Sequence, residues 1–306
     1  MPLSEWEQQF ERLAQKIDPQ SSLLRAWQLH GGVSARVTAL EIMKPGGQVQ
    51  TMVARQHGET DLKQNPQIAA DEFRLLQTLH AAGLAVPAPV YLDRSGEIFG
   101  TPCLVIEYIE GQPEFAPANL DELLFQLAEH LAAIHRLDLS KYDLPFLPDM
   151  QKRYNQKLAK RPATLDESLD EGRIRDILEA AWPLPQRNKP GLLHGDYWPG
   201  NILWQNGKLA AILDWEDAAL GDPLADLGNS RLEIAWAFGI EAMHTFTRHY
   251  RSITNLDFTS LPYWDLCAAL RPASKLSEWA EDSQAEKKLR EGHRLFITQA
   301  YQVLGL

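Results

Sequence analysis

The chain has 306 residues, of which 44% are hydrophobic and 23% charged, and its net charge at pH 7 is −11. These values are typical of one large or two smaller globular domains, and they exclude a disordered chain, a collagen and a coiled-coil rod. The acidic balance argues against nucleic acid as a partner, because phosphate binding requires a basic surface.

Targeting and membrane signals are not evident in the sequence. No apolar run approaches the ~20 residues of a membrane helix. Residues 1–10 contain Glu5 and Glu7 and lack the basic stretch that begins a secretory signal. The two cysteines, Cys103 and Cys267, are too few and too far apart for a disulfide framework or a zinc cluster. We therefore expect a cytoplasmic protein with no membrane partner, and these features leave its oligomeric state open.

The first third of the chain is rich in predicted strands. The pair Ser4 and Glu7 fits a capping box and predicts a helix that starts at Ser4. A second helix is predicted to begin near Asn65-Pro66 and to stop at Gly83. Aliphatic and β-branched residues predict strands between these helices and after them, over residues 33–43, 49–55, 90–92 and 103–109.

The remainder of the chain is predicted to be mostly helical. Helical periodicity recurs over residues 120–137, 174–181, 227–250, 264–279 and 285–303. A Gly/Pro linker at residues 110–113 predicts a boundary. We expect an α+β protein with a small sheet lobe (residues 1–109) and a larger helical lobe (residues 110–306), and the cleft of such a pair is a common place for a ligand.

A predicted β-hairpin lies within residues 192–227. Asn206-Gly207 stands between two apolar runs, which is a strong signal for a two-residue hairpin turn. With regular pairing beyond this turn, Asn201 faces Ile212, so Asn201 and Asp214 lie on one face as diagonal neighbours, with Cα atoms ~7–8 Å apart. An amide oxygen and a carboxylate at that separation can share a hard cation such as Mg²⁺.

A second carboxylate, Asp196, precedes the hairpin at its open end. One carboxylate can therefore hold a metal while another stays available as a base. Phosphoryl transfer from a nucleotide needs this combination, because magnesium neutralises the phosphates and a carboxylate orients the attacking hydroxyl.

The same segment resembles a known family. The strings HGDYWPGN at 194–201, ILDW at 212–215 and GDPLADL at 221–227 closely resemble the aminoglycoside phosphotransferase family, which belongs to the protein-kinase-like small-molecule kinases and is related to choline kinases. The resemblance implies a two-lobed protein-kinase-like fold, with a small antiparallel-sheet N-lobe and a larger, mostly helical C-lobe. It also implies magnesium-dependent transfer of the γ-phosphate of ATP or GTP to a hydroxyl of a small molecule.

The resemblance implies roles for individual residues of this segment. Asp196 is implied as the catalytic base, and Asn201 and Asp214 as the magnesium ligands. The supports of the catalytic loop and its lobe are implied to be His194, Asp222 and Asp226. For His194 we favour an orienting hydrogen bond over metal ligation.

The resemblance continues, in weaker form, through the first third. It implies that Gly31, Gly32 and Ser34 belong to a phosphate-covering loop, where glycines let backbone N–H groups approach an anion. Arg55 stands in the place of the ATP-binding lysine, and a guanidinium can clamp phosphate oxygens. Glu72 is the expected ion-pair partner of Arg55.

Further positions resemble the interlobe hinge or depart from protein kinases. The hinge resemblance covers Glu107 to Ile109, whose backbone would bind the nucleotide base. Gly195 replaces the arginine that reads activation-loop phosphorylation in protein kinases, and no long activation segment follows Asp214. We predict an enzyme without a phosphorylation switch. A string that looks superficially like a kinase catalytic loop, residues 135–138, is interpreted as structural.

Two other functional interpretations stay open. A catalytically silent nucleotide-binding module is favoured only by Arg55 in place of lysine. A metal-dependent hydrolase could use His194, Asp196 and Asp214, but it would give no role to the glycine loop or to Arg55.

The acceptor is not identified by the sequence. Residues 161–230 contain twelve acidic and six basic side chains, an excess that fits an amine-bearing acceptor but also a solvated face. Residues 251–306 contain seven of each and show no acidic trap. Four aromatic residues either line an acceptor pocket or belong to the core: Trp236, Tyr263, Trp264 and Trp279.

Overall fold

The structure is a computed structural model that describes residues 4–29 and 35–306. The chain forms two compact units, residues 1–110 and 111–306. The described part of the first unit consists of strands and helices in this order: α1 (Glu5–Ile17), β1 (Ser22–Gln28), β2 (Ala35–Met43), β3 (Val49–His57), α2 (Glu59–Gln64), α3 (Ile68–Ala81), β4 (Pro89–Asp93) and β5 (Cys103–Glu107).

An antiparallel sheet in the order β1-β2-β3-β5-β4 forms the centre of the first unit. Successive residues of a strand point to opposite faces of the sheet. Ala54 of β3 belongs to a buried apolar cluster with Phe10 of α1. The next residue, Arg55, contacts Glu72 of α3. The sheet therefore lies between α1 on one face and α3 on the other.

Most elements of this unit lie where the sequence predicts them. Both hydrogen bonds of the capping box form at Ser4. Two elements of the structure, β1 and α2, were not predicted from the sequence. The strand β1 is at the edge of the sheet and most of its side chains are exposed or half-buried, so its sequence lacks a clear alternation of buried residues.

The second unit is mostly helical and contains two small antiparallel sheets, β6-β9 and β7-β8. Its helices and strands follow in this order: α4 (Leu120–His135), α5 (Met150–Ala159), α6 (Glu171–Ala181), β6 (Gly191–Leu193), β7 (Ile202–Gln205), β8 (Lys208–Ile212), β9 (Ala219–Gly221), α7 (Pro223–Phe238), α8 (Ile240–Ile253), α9 (Leu261–Ala269), α10 (Leu276–Trp279) and α11 (Ser283–Leu304).

Helix α7 has more buried residues than any other helix of this unit and packs against α8, α9 and α11. Gly228 lets α9 approach closely, because a Cβ atom there would lie 2.8 Å from the backbone of Trp264. The helix predicted over residues 227–250 is divided in the structure, since Gly239 (φ 92°) separates α7 from α8. Among the described residues, no helix is both long and apolar enough to cross a bilayer.

Candidate active site

The loop that follows β6 carries the proposed catalytic base and is held by a buried carboxylate of α7. Asp226 accepts hydrogen bonds from the backbone N–H groups of His194 (2.6 Å) and Gly195 (2.8 Å), and its Oδ2 lies 3.2 Å from Nε2 of His135. Burial opposes ionisation of Asp226, but the hydrogen bond and charge of His135 outweigh it and lower the pKa of this carboxyl. Asp226 therefore fixes the path of the chain into Asp196.

The ring of His194 joins this loop to the hairpin strand. Its Nδ1 accepts the backbone N–H of Asp196 at 3.2 Å, and its Nε2 lies 2.9 Å from the carbonyl oxygen of Leu213. Because Nδ1 accepts, the hydrogen-bond network assigns the ring proton to Nε2. Both ring nitrogens are thus engaged in orienting the loop, in agreement with the interpretation of His194 as an orienting group.

The backbone at position 195 favours a glycine for two reasons. Gly195 has a φ of 84°, a left-handed conformation that side chains rarely adopt. A Cβ atom there would lie 2.2 Å from the carbonyl oxygen of Asp217. An arginine like that of protein kinases cannot occupy this backbone without moving the segment that carries Asp217.

The carboxylate of Asp196 is held from two sides. The amide Nδ2 of Asn201 donates to its Oδ2 at 3.1 Å and to its backbone oxygen at 3.0 Å. Arg271 donates from Nη2 to Oδ1 of Asp196 and from Nη1 to the oxygen of Gly195, both at 2.7 Å. Burial raises the pKa of Asp196 and Arg271 opposes that change. The side chain is still 29% exposed, so an acceptor can reach it.

The sequence did not predict a role for Arg271. It lies 75 residues after Asp196, just beyond α9. No spacing or pattern in the sequence connects the two residues, and only the folded chain brings the guanidinium to the loop.

The hairpin forms, but its predicted register is wrong beyond Trp204. Gln205 pairs with Lys208 and Trp204 with Leu209, as predicted. A β-bulge at Ala210 then shifts the pairing by one residue, so that Leu203 faces Ala211 and Ile202 faces Ile212. As a consequence, Asn201 does not face Ile212.

The geometry of the proposed metal pair follows from this bulge. The backbone oxygen of Asn201 accepts the N–H of Leu213 at 2.8 Å, so Asp214 is one residue beyond the paired position instead of two. The strand ends at Ile212, and Asp214 adopts a left-handed φ of 64°. Simple strand alternation therefore does not set the direction of Asp214. A non-glycine residue with positive φ is uncommon and often marks a functional site.

The donor atoms of this pair suit a magnesium ion. The Nδ2 of Asn201 is engaged with Asp196, which leaves the amide oxygen as its ligand atom. In the described residues no group of three or more His, Cys, Asp or Glu side chains could hold a metal. Magnesium is usually bound by one or two protein ligands together with substrate phosphates, so a complete protein cage is not required.

The first unit contains a second set of buried charges. Nη1 of Arg55 lies 3.3 Å from Oε1 of Glu72, so the expected ion pair forms. His57, two residues further along β3, places Nε2 2.8 Å from the other oxygen of Glu72 and was not predicted to take part. All three side chains are buried. Glu72 thus holds Arg55 in one position from the helix side of the sheet.

Only some of the other predicted nucleotide-binding residues lie in the described part of the chain. Glu107 ends β5 opposite Met52, and its carboxylate accepts the backbone N–H of Ala88 at 3.2 Å. Ile109 follows two residues later, outside the strand. The predicted phosphate-loop residues lie outside the described part of the chain: Gly31, Gly32 and Ser34.

The remaining predictions concern supports and aromatic residues. Asp222 caps α7 by accepting the N–H of Leu224 at 3.0 Å. Trp264 is buried and contacts the rings of Tyr154 and Trp182, so it belongs to the core. Trp279, by contrast, is 46% exposed.

Comparison with known proteins gives consistent matches. Residues 27–273 match the model of the phosphotransferase enzyme family. Acyl-CoA dehydrogenase family member 10 of Mus musculus is 30% identical over 173 residues, which are 53% of this chain and 16% of that protein. The homoserine kinase of Methylocella silvestris is 29% identical over 229 residues, covering 67% of this chain and 68% of that enzyme. The chain spans about a sixth of the length of the acyl-CoA dehydrogenase relative.

A solved structure extends the match to the fold. The GDP complex of wild-type aminoglycoside 2'-phosphotransferase-IIIa superposes with a TM-score of 0.67 at 19% identity, covering 96% of this chain and 99% of that one. The predicted α+β, protein-kinase-like fold is confirmed. Since the family model covers most of its length, the chain belongs to the phosphotransferase enzyme family.

Proposed function

We propose that this protein is a magnesium-dependent kinase that moves the γ-phosphate of ATP or GTP to a hydroxyl group of a small molecule. The observation that carries the proposal is the double hold on Asp196, whose carboxylate is fixed by Asn201 and Arg271 and yet is partly exposed. A carboxylate held in this way can orient an acceptor hydroxyl. The homoserine kinase relative and the GDP complex of the similar structure support a nucleotide-dependent kinase.

In the proposed reaction, Asp196 accepts a hydrogen bond from the acceptor hydroxyl and takes or directs its proton. The acceptor oxygen forms a bond to the γ-phosphorus, and the bond between that phosphorus and the β–γ bridging oxygen breaks. Magnesium, when bound, would neutralise charge on the phosphates. Asn201 and Asp214 are the residues proposed to hold it, by the amide oxygen and the carboxylate.

The residues of the first unit are proposed to bind the nucleotide. Arg55, fixed by Glu72, has the planar guanidinium that suits phosphate oxygens. The backbone from Glu107 to Ile109 is proposed to bind the base. Gly31, Gly32 and Ser34 are proposed to contribute a phosphate-covering loop.

The test is a nucleotide-consumption assay on the full chain with Mg-ATP and Mg-GTP, over a panel of small alcohols and aminoglycosides. We expect turnover that is lost on chelation of magnesium and falls by about 10²–10⁴ in kcat for D196N. The matched control is D217N, because Asp217 is a neighbouring but exposed carboxylate. Equal turnover by wild type and D196N would overturn the proposal, and nucleotide binding without any turnover would favour a silent module.

A further inference from the structure

Three basic side chains of the second unit lie close to one another, and one of them contacts the proposed base. We call Arg153, Lys157 and Arg271 the basic cluster. Arg271 donates to Asp196 at 2.7 Å. Arg153 donates at 3.1 Å to the carbonyl oxygen of Asp217, the same atom against which Gly195 packs. The cluster therefore borders the loop on the side of α5.

The third member joins the other two. The Nζ of Lys157 lies 3.4 Å from the carbonyl oxygen of Leu270, the residue before Arg271. Arg153 and Lys157 are four residues apart on α5, so they lie on one face of that helix. Three positive charges from two segments thus converge on one place.

Burial and the charge of Arg271 both disfavour the protonated forms of the two cations on α5. Burial, followed by the charge of Arg271, lowers the pKa of Lys157 to about 8. Burial also lowers the pKa of Arg153; the charge of Asp217 opposes this change and that of Arg271 adds to it. Cations that are partly removed from water and repel one another form a site that an anion would stabilise.

The carboxylates that face the cluster act unequally on its members. Burial lowers the pKa of Arg271, but the charges of Asp196 and Asp217 outweigh burial and raise it, whereas the pKa values of Lys157 and Arg153 stay lowered. Asp196 is engaged by Asn201 as well as by Arg271. Asp217 is exposed, where solvent screens its charge. Burial raises the pKa of Glu233, on α7, to about 7, so this carboxyl carries less than a full charge at neutral pH.

The cluster also differs from the structural ion pairs of the same unit. Arg231 binds Asp265 through two nitrogens at 2.9 and 3.0 Å, and its side chain is 4% exposed. Arg271 is 27% exposed and contacts the carboxylate that is proposed to do the chemistry. A sealed pair such as that of Arg231 has a structural role, whereas Arg271 can be reached by an acceptor.

We propose that the basic cluster binds a carboxylate of the acceptor, so that the acceptor is a hydroxy acid. This inference rests on the proposed function. An acceptor hydroxyl at Asp196 Oδ1 places its neighbouring atoms close to the guanidinium of Arg271. There an ammonium group is repelled, while a carboxylate gains charge-assisted hydrogen bonds. Arg153 and Lys157 on α5 would likewise favour a carboxylate over an ammonium group.

The test uses matched acceptors on the full chain with Mg-ATP. Each set consists of a three- or four-carbon primary alcohol that carries a carboxylate, a carboxamide or an ammonium group at the other end. We expect kcat/KM for the carboxylate to exceed that for the carboxamide by at least about tenfold, as hydrogen bonds to charged groups usually give. The ammonium member should be the poorest acceptor.

The variant R153Q should reduce this ratio, because the carboxylate loses a charged partner whereas the carboxamide loses only a neutral hydrogen bond. The control is K152Q, which removes an exposed charge from the same helix and should keep the wild-type ratio. Loss of all rates in equal proportion in R153Q would overturn the inference, because it would indicate contact with the transferred phosphate.

The remaining outcomes separate this inference from the proposed function. Turnover with only the carboxamide or ammonium alcohols, or nucleotide hydrolysis that depends on Asp196 but uses none of the carboxylates, overturns the inference alone. If no nucleotide is consumed with or without acceptor, the proposed function falls, and the inference falls with it.

Discussion

Two buried carboxylates, one in each unit, hold residues of the proposed site by different means. Glu72 binds other side chains, since its two oxygens contact Arg55 and His57. Asp226 binds mainly the backbone, because it accepts hydrogen bonds from two consecutive peptide N–H groups, and it also contacts one ring nitrogen of His135. Glu72 therefore positions one cation, whereas Asp226 positions the path of the chain that leads into Asp196.

This difference indicates which substitutions each site can tolerate. A side-chain partner can be replaced together with the carboxylate, so a buried ion pair can give way to apolar residues of similar volume. A peptide N–H is present whatever the residue, so no second substitution removes the need for Asp226. The free energy of unfolding can test this contrast.

The largest effect is expected for E72Q. The glutamine removes the carboxylate charge that contacts the buried guanidinium of Arg55, and removal of one partner of a buried pair typically costs about 3–5 kcal/mol. Denaturant unfolding of the full chain measures the loss. The matched control is E59Q, because the pair of Glu59 with Lys63 is exposed and contributes little.

The double variant R55M/E72M sharpens this prediction. Since neither buried charge remains, it should be destabilised by less than the sum of the single variants R55M and E72M. If the losses of unfolding free energy in the two single variants add up in the double variant, Arg55 and Glu72 do not act as a unit. The proposed contrast between Glu72 and Asp226 would then be wrong for Glu72.

A smaller loss, about 1–3 kcal/mol, is expected for D226N. An asparagine has one acceptor oxygen, so at least one of the buried donors now at Asp226 would face an NH₂ group. The pKa of Asp226 is lowered in the folded state from its ordinary 3.8. Its contribution to stability is therefore present above that pH and is lost as the pH falls through the folded value.

Unfolding measured from pH 7 down to pH 2 tests this. Wild type and D226N should differ at neutral pH and converge in acid, while kcat should fall in D226N because the loop shifts. The control is D176N, since Asp176 forms an exposed pair with Arg161. A constant difference across this range would contradict the role of the ionised carboxylate.

The smallest effect is expected for K157M, which should increase stability. Lys157 donates to a carbonyl oxygen, and burial with Arg271 lowers its pKa from 10.5 to about 8. The charged form is therefore a cost below pH 8, and that cost disappears as the pH rises from 8 to 10.5. Unfolding curves should show a gain on the order of 1 kcal/mol at pH 7 that vanishes by pH 11. A variant less stable than wild type at pH 7 would contradict it.

Local signals in the sequence predict much of this molecule. In the hairpin turn, Asn206 and Gly207 both have positive φ, 51° and 73°. Few dipeptides other than Asn-Gly adopt this conformation readily, so the sequence alone predicts the turn. The capping box at Ser4 is equally local. These features depend on neighbours in sequence, which is why they can be read without the fold.

Features set by tertiary packing could not be predicted in the same way. The bulge at Ala210 depends on how the hairpin is held in its unit, and no residue there signals it. Arg271 and His57 reach their partners only through the fold. The break at Gly239 was hidden because helical periodicity continues on both sides of it.

The bulge has a consequence for how this family of hairpins can fail. If Ala210 were retained but paired regularly with Leu203, Asn201 would move opposite Ile212 and lie one residue farther from Asp214. Every residue proposed for catalysis would still be present, and a comparison of those residues alone would find an intact enzyme. A slip of the hairpin register by one residue would therefore separate the proposed metal ligands without any substitution at the site.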